Sequence, residues 1–255
     1  MDATAAPAAP LTAEPARPRA RLRGRCVAIS RLDDDTVGAA WELFASAYAG
    51  ADRGRFEADL AAKQRVLLLR DPATGALGGF STIAVRDLGD AEVVFSGDTV
   101  VDRPYWGTKA LQRAFSAFLV RRKLRHPTRP LYWFLISKGY KTYLMLAHAC
   151  PHAIPRGDRP DDPALRAILD RVASDRFGDA YDVATGLIRH ATPLEAVRPG
   201  LTPIDDRLAA EPHVAFFLAR NPGHARGDEL ACLAEIRLAD PVRQITRTAL
   251  GRRPR

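Results

Sequence analysis

The segment VVFSGDTVV, residues Val93–Val101, continues through DRPYWGT (Asp102–Thr108) into KALQRAFSAFLVRRKLRH (Lys109–His126). These three parts are typical of a strand, a turn and a long helix. After a Pro-rich break, LYWFLIS (Leu131–Ser137) predicts a second strand, and a further helix begins near Lys141. A turn that leads from a strand to a helix N-terminus attracts phosphate, because backbone N–H groups and the helix dipole both favour negative charge there. The segment therefore predicts a phosphate-bearing cofactor and, with it, a transferase.

The residues before this segment predict a mixed arrangement of strands and helices. The expected order is a strand at Cys26–Leu32, a helix that starts after the Asp33–Thr36 cap and ends at Gly50, a helix at Arg55–Lys63, and strands at Arg65–Asp71 and Ala76–Leu88. The first of these helices is expected to place its apolar residues on one face: Val37, Ala40, Trp41, Phe44 and Tyr48. Within the last of these strands, Gly78 and Gly79 predict a bulge or a close approach of two backbones. The first half of the chain therefore reads β-α-α-β-β-β-α-β-α.

The second half of the chain is less regular. A helix is predicted at Pro163–Phe177, followed by a strand or hairpin arm at Tyr181–His190. Two further strands are predicted at His213–Asn221 and Glu229–Leu238. The turn-rich stretch Asn221–Asp228 is expected to be the loop between them.

The composition bounds the class of protein. Of the 255 residues, 47% are apolar and 27% are charged, which is an ordinary globular balance. The sequence has no apolar run of about 18 residues and no apolar N-terminal region, so neither a transmembrane helix nor a secretory signal is expected. Cys26, Cys150 and Cys232 are far apart and form no Cys-x-x-Cys pair. We therefore expect a cytoplasmic protein without a disulfide framework.

The chain carries a formal net charge of +8, part of it on arginines near its two ends. One interpretation is a set of solvated tails. The other is attraction of a polyanion: nucleic acid, a CoA thioester or an acidic carrier protein. No nucleic-acid motif accompanies the charge, and interleaved aromatic and basic residues occur only at Tyr140–Tyr143, so the sequence does not favour nucleic acid.

The order of elements over about Cys26–Ala149 resembles the GNAT superfamily of N-acyltransferases. The turn that matches the family's Arg/Gln-x-x-Gly-x-Gly/Ala pyrophosphate loop is RPYWGTKA, Arg103–Ala110. Gly107 matches the first glycine of that loop, whereas Lys109 stands where the second glycine or alanine is usual, and Arg103 is one residue early. The resemblance implies an α/β (α+β) fold with a mixed twisted sheet flanked by helices, followed by a C-terminal α/β extension.

The composition of the chain ends and the resemblance together predict the domain organisation. A disordered Ala/Pro/Arg-rich tail is expected over residues 1–21, and the GNAT-like core over 22–150. An extension over 151–245 is expected to complete the sheet and cover the acceptor pocket, before a basic tail over 246–255.

The implied co-substrate is an acyl-CoA or acyl-carrier-protein thioester, and the implied acceptor is a small-molecule amine. An acidic acyl carrier protein is then a candidate partner. In the family, the fourth strand lies along the pantetheine arm and the following turn holds the pyrophosphate. The donor is therefore expected to contact Thr99, Val100, Val101, Trp106, Gly107, Thr108, Lys109, Ser137 and Lys138.

Polar residues in the apolar Val93–Val101 strand mark a candidate catalytic site. Ser96, Gly97, Asp98 and Thr99 indicate either a bulge satisfied by local bonds or a splayed strand that faces a cofactor. In the second case Asp98 serves as the base or as an anchor for the amine, since burial raises a carboxylate's pKa. Both interpretations stay open.

Other catalytic candidates come from the two following regions. By resemblance, Tyr143 or Tyr140 would protonate the leaving thiolate; the alternative is half-buried packing. Glu229, beside the Asn221–Asp228 loop, is a candidate for orienting the amine. His148 and His152 are four residues apart, but Pro151 breaks the helix between them, so no metal site is expected.

The predicted function is acyl transfer from a thioester to an amine. The alternative is a GNAT-like fold that has lost transfer and binds a metabolite or a partner protein. The displaced second glycine of the turn favours that alternative.

Overall fold

A computed structural model of the chain describes residues 21–191 and 195–238. The predicted tails over 1–21 and 246–255 lie outside these ranges, apart from residue 21 itself. Seven helices occur within the described residues: α1 Asp34–Ala47, α2 Arg53–Ala61, α3 Ala110–Arg125, α4 Tyr140–Ala149, α5 Pro163–Phe177, α6 Asp206–Ala209 and α7 Pro212–Arg220.

The described strands form one large sheet and one small one. They are β1 Arg23–Ala28, β2 Tyr48–Ala49, β3 Arg65–Arg70, β4 Leu77–Asp87, β5 Glu92–Val101, β6 Leu131–Ser137, β7 Ala153–Ile154, β8 Tyr181–Asp182, β9 Leu187–Ile188, β10 Ala196–Val197 and β11 Glu229–Glu235. The large sheet has the order β1-β3-β4-β5-β6-β11-β9-β8, with β7 paired to β11, and β10 pairs with β2 apart from it. Only β5 and β6 run parallel. The expected mixed sheet flanked by helices is confirmed.

Two irregularities of β5 shape the middle of the sheet. Ser81 of β4 faces Thr99, and Ile83 faces Ser96, so two residues of β5 oppose one residue of β4. This is the bulge that the polar residues of the strand predicted. The parallel pairing of β5 with β6 ends at Ser96 and Leu135, although β6 continues to pair with β11. The two central strands therefore separate beyond this point.

Gly79 makes the close backbone approach that the sequence predicted, whereas Gly78 lies close to side chains. A Cβ on Gly79 would lie 2.8 Å from the carbonyl oxygen of Val100, and one on Gly78 would lie 2.7 Å from the Tyr105 ring. A side chain at either position would push β4 away from β5 or from the turn that follows it. The glycines thus keep β5 and its turn close to the sheet.

Helices cover both faces of the sheet. On one face α3, α4 and α7 pack around Val94, Trp133 and Leu135, while α5 packs on the other face around Phe95 and Phe134. A third cluster joins α1 and α2 to β3, β4 and β5 on that second face. The second face thus carries α5 over β6 and β11, and α1 with α2 over the opposite half of the sheet.

The predicted strand at His213–Asn221 is wrong, because these residues form α7. Glu211 caps the helix by accepting a hydrogen bond from the Val214 N–H at 2.8 Å, and Pro212 occupies the first turn. Val214 and Phe217, three residues apart, bury the same face. The Glu229–Leu238 strand is confirmed as β11, and Tyr181–His190 contains the β8–β9 hairpin.

Candidate functional site

A cavity of about 370 Å³ lies where β5 and β6 separate. The end of β5, the turn after it and the first turns of α3 and α4 form its walls, and Val197 and Leu201 close it from the C-terminal half. Its size is in the range of small-molecule sites. Eight of the nine residues expected to contact a donor line it: Thr99, Val100, Val101, Trp106, Gly107, Thr108, Lys109 and Lys138.

The turn before α3 leaves several backbone donors without an acceptor. Gly107 has φ 78° and Lys109 has φ 55°, the only positive φ of a non-glycine residue in the described ranges. The side chain of the N-cap residue Lys109 makes no capping hydrogen bond, and the Thr108 hydroxyl accepts only from the Ala110 N–H, at 3.4 Å. Within the same ranges, the N–H groups of Gly107, Lys109, Leu111 and Gln112 have no hydrogen-bond partner, and all four residues line the cavity. Four donors at a helix N-terminus form a cradle for an anionic oxygen.

Positive side chains surround this cradle. Arg103, Lys109, Arg113 and Lys141 form no ion pair with any residue of the described part of the chain. The Lys141 Nζ lies 3.7 Å from the centroid of the Trp106 ring, and the Arg103 guanidinium lies 5.8 Å from the same ring. Burial, followed by the charge of Arg103, lowers the pKa of Lys141. An anion bound at the cradle would relieve this repulsion.

Hydrogen bonds fix the end of β5 beside the cavity. The Thr99 hydroxyl lies 2.7 Å from the Ser81 hydroxyl and donates to the carbonyl oxygen of Gly97 at 3.0 Å. The Trp106 indole N–H donates to the carbonyl oxygen of Val101 at 2.6 Å. The first pair holds the bulge, and the second folds the turn back onto the strand.

A cluster of buried charges adjoins the cavity around Lys138. The Lys138 ammonium forms an ion pair with Glu195 and lies 3.5 Å from the Glu229 carboxylate. It also lies 5.5 Å from the centroid of the Tyr48 ring, and both Lys138 and Tyr48 line the cavity. These residues come from the end of β6, the C-terminal half of the chain and the end of α1.

The cluster shifts the pKa of Lys138, Glu229 and Tyr48. Burial alone would lower the pKa of Lys138, but Glu229 and Glu195 outweigh it and raise the value. Burial raises the pKa of Glu229 to about 7, against the opposing effect of Lys138. Burial also raises the pKa of Tyr48 to about 12. The cluster therefore holds one ammonium against carboxylates, one of which titrates near neutral pH.

Asp98 belongs to the same electrostatic group. The bulge directs Asp98 to the face of the sheet that carries α2, where Lys63 forms an ion pair with Asp59. Burial, and then the Asp59 carboxylate, raise the pKa of Asp98, whereas Lys63 and Lys138 oppose the rise. Neither Asp98 nor Glu229 lines the cavity itself, but Thr99 and Lys138 separate them from it.

The structure places three other predicted residues away from the cavity. The Tyr143 side chain is fully buried, and its hydroxyl donates to the carbonyl oxygen of Pro155 at 3.1 Å. Tyr140 is also buried, with its pKa raised by burial. Ser137 donates its hydroxyl to the carbonyl oxygen of Gly139 at 2.8 Å and shapes the turn into α4. These three side chains hold α4 in place.

Two residues of the site were missed by the sequence analysis. Tyr48 was assigned to the apolar face of the first helix, whereas it ends that helix and faces the cavity. Glu195 lies in a segment without a motif and reaches Lys138 from 57 residues away. Both depend on the pairing of β10 with β2, which no local pattern indicates.

Two further classes of feature are absent from residues 21–191 and 195–238. They contain no group of three or more His, Cys, Asp or Glu side chains arranged to hold a metal ion. None of their helices has the length and hydropathy needed to cross a bilayer.

Several solved structures are similar to about half of this chain. ElaA of Escherichia coli is 18% identical with a TM-score of 0.37, over 52% of this chain and 88% of ElaA. YhbS of Escherichia coli, a GNAT family N-acetyltransferase in complex with CoA, is 15% identical with a TM-score of 0.37, over 52% and 74%. An acyl-CoA N-acyltransferase from Pseudomonas aeruginosa is 14% identical with a TM-score of 0.39, over 51% and 88%. No protein-family model and no curated protein matches the sequence. Each likeness covers about half of this chain, at 14–18% identity.

Proposed function

We propose that the protein transfers an acyl group from a phosphate-bearing thioester to an amine. The observation that carries this proposal is the cradle of Gly107, Lys109, Leu111 and Gln112, whose unpaired N–H groups line a cavity that basic side chains surround. Uncompensated donors and cations at one helix N-terminus favour a phosphorylated ligand. CoA and a phosphopantetheine arm on a carrier protein both supply this chemistry.

The separated strands provide the place for the reacting carbonyl. Beyond Ser96, β5 no longer pairs with β6, and Thr99, Val100 and Val101 line the cavity. A thioester arm that extends from the cradle along this edge would bring its carbonyl close to the bulge. Proximity of the two bound reactants then contributes much of the rate.

The buried charges supply the proton transfers. The amine nitrogen attacks the thioester carbon, the C–N bond forms and the C–S bond breaks. The proposed final acceptor of the amine proton is Asp98, whose raised pKa suits a base near neutral pH; because Asp98 lies behind Thr99, the proton would have to pass the cavity wall to reach it. Lys138 forms the polar wall proposed to orient the amine, and Glu229 lies behind it, 3.5 Å from its ammonium. Asp98 is thus the proposed base, and Lys138 and Glu229 are the proposed positioning pair. All three are residues that the sequence predicted for the site.

Tyr48 is the proposed acid for the leaving thiolate. It lines the cavity beside Lys138, and its raised pKa keeps the phenol protonated at neutral pH. Tyr143 and Tyr140, the candidates from the resemblance, do not line the cavity, and their side chains are buried in the packing of α4. The acid role therefore moves from α4 to the end of α1.

The experiment is an assay of amide formation with acyl-CoA and acyl-carrier-protein donors of two chain lengths against a panel of primary amines. Free thiol is followed by a chromogenic disulfide, and the N-acyl product by mass spectrometry. We expect equal amounts of thiol and amide. Thiol release without amide would identify a thioester hydrolase, and neither product with any donor would contradict the proposed function.

A second candidate, binding without transfer, is favoured by one contact. The Trp106 indole N–H donates a hydrogen bond to the Val101 carbonyl oxygen at the edge of the cavity. This carbonyl is then not free to accept a hydrogen bond from a thioester arm. Trp106→Phe removes this N–H donor and leaves an aromatic side chain at the position. If the variant binds CoA as the unmutated protein does and neither forms amide, the binding function is supported.

A further inference from the structure

The helix that begins at the cradle carries positive charge near both of its ends. From Lys109 to His126 the sequence contains Lys109, Arg113, Arg121, Arg122, Lys123 and Arg125 and no acidic residue. Arg122 forms an ion pair with Glu92, and the Lys123 ammonium donates to the Arg129 carbonyl oxygen at 2.6 Å. Within the described ranges, Arg113, Arg121 and Arg125 have no carboxylate partner, and all three are exposed.

These three arginines share one side of α3. Residues 113, 117, 121, 124 and 125 recur at intervals of three and four, so they form a stripe on the helix surface opposite the buried Leu111, Phe115 and Leu119. Leu124 lies within the stripe, and 59% of its surface is exposed, the largest value for an apolar side chain of its size in the described part of the chain. A basic stripe around an exposed leucine is a surface that a partner protein would cover.

The length of the helix excludes a role at the cradle itself for two of these arginines. Arg121 and Arg125 follow Ala110, the first residue of α3, by about three and four turns, which corresponds to a rise of about 17 and 23 Å. The Debye length at physiological ionic strength is about 8 Å. Charges two or more Debye lengths away contribute little to holding a phosphate at the cradle. An anionic partner that used these arginines as well as the cradle would therefore be larger than a single bound phosphate.

We propose that this stripe docks an acidic carrier protein whose phosphate-linked thioester arm enters the cavity. The proposal rests on the proposed function and names the form in which the donor arrives. The cradle lies at the N-terminus of α3, and the basic stripe lies along the same helix. One partner could therefore insert its arm at the cradle and place its acidic surface on the stripe. Arg113, in the first turn, lies between the two contacts. Free CoA would use the cradle alone.

The test compares two double variants with the same change in charge. Arg121→Glu with Arg125→Glu reverses the stripe. Arg31→Glu with Arg171→Glu is the control, since these arginines are also exposed, lie outside α3 and form no ion pair among the described residues. Binding of an acidic acyl carrier protein with its phosphopantetheine arm is measured by calorimetry at low salt, together with binding of CoA.

We expect the stripe variant to bind the carrier protein at least about tenfold more weakly, since reversal of complementary charge changes association by this factor or more. Its affinity for CoA should stay within about twofold of the unmutated protein, and the control should match the unmutated protein for both ligands. The difference should shrink at high salt.

Three results would overturn the docking proposal. The first is equal carrier-protein binding by all three proteins, and the second is a parallel loss of CoA binding in the stripe variant. The third is that the carrier protein does not bind, whereas a DNA duplex or anionic vesicles bind the unmutated protein and not the stripe variant. Because these measurements need no turnover, failure of the amide assay leaves them decisive. If carrier-protein binding depends on the stripe but no amide forms, the proposed function is contradicted and the docking proposal is supported.

Discussion

Replacement of Gly107 by valine tests the cradle at the residue that defines it. Gly107 has φ 78°, a left-handed conformation that L-residues adopt at a cost of about 1–2 kcal/mol. In a chain of this length a loss of that size lowers Tm by roughly 2–8 °C. The valine side chain would also stand where a phosphate meets the N–H groups of the turn. Two effects are therefore expected, one on stability and one on binding.

The effect on binding is the larger one. A hydrogen bond from a neutral donor to a charged group contributes about 1.5–3 kcal/mol. Loss of one such bond to a phosphate lowers affinity about 10- to 150-fold, at 1.4 kcal/mol for each tenfold. Calorimetric titration with CoA measures this change, and a thermal melt of the same sample measures the change in stability.

A control variant separates strain from the loss of the anion site. Gly75 has φ 74°, and no atom lies within 4 Å of a Cβ built on it. Gly75→Val should therefore show a similar loss of Tm and normal CoA binding. If Gly107→Val melts like the Gly75 variant and binds CoA as the unmutated protein does, the turn does not hold phosphate and the reasoning fails.

Two predictions concern the proton-transfer groups. Tyr48→Phe should lower kcat by about 10²- to 10⁴-fold with little change in KM, the range for one acid group, whereas Tyr143→Phe should lose only the bond to Pro155, about 1 kcal/mol of stability, and keep its kcat. The opposite pattern in steady-state kinetics would return the acid role to α4. Burial raises the pKa of Glu229 to about 7, above the unfolded value of 4.5, so its contribution to stability is present below about pH 4.5 and is lost as pH rises through 7. Relative to Glu229→Gln, the unmutated protein should lose about 1–3 kcal/mol of unfolding free energy between pH 5 and 8 in urea titrations; parallel pH profiles would contradict this.

The sequence predicted the central part of the fold because each element there has its own local pattern. The apolar strand Val93–Val101, the glycine turn and the long helix after it follow one another without ambiguity. His213–Asn221 was mistaken for a strand because its run of apolar residues is short, and such runs fit either structure. The Glu211 and Pro212 helix start resolves the choice, and it lies just outside the run.

Some residues of the candidate site could likewise be predicted from a local pattern, and others could not. Residues of the turn were found because glycine and its neighbours define a local geometry. The Lys138 cluster was found only in part, since Glu195 meets Lys138 through a contact between segments 57 residues apart. Tyr48 was taken for a core residue because it continues the helical spacing of Phe44. Contacts between distant segments leave no trace in a local pattern.

The bulge in β5 explains how one strand serves both parts of the site. In a regular strand, residues an even number of positions apart face the same side, yet Val94 and Val101, seven apart, both pack on the α3 side. The extra residue at the bulge causes this change of parity, and it places Asp98 on the side of α2 while Thr99 faces the cavity. Gly97 is needed there, because a Cβ would lie 2.6 Å from the Thr82 hydroxyl oxygen. The two interpretations of the polar residues, a bulge and a catalytic strand, therefore describe one feature. The bulge is what presents a base and a donor-binding edge from neighbouring residues.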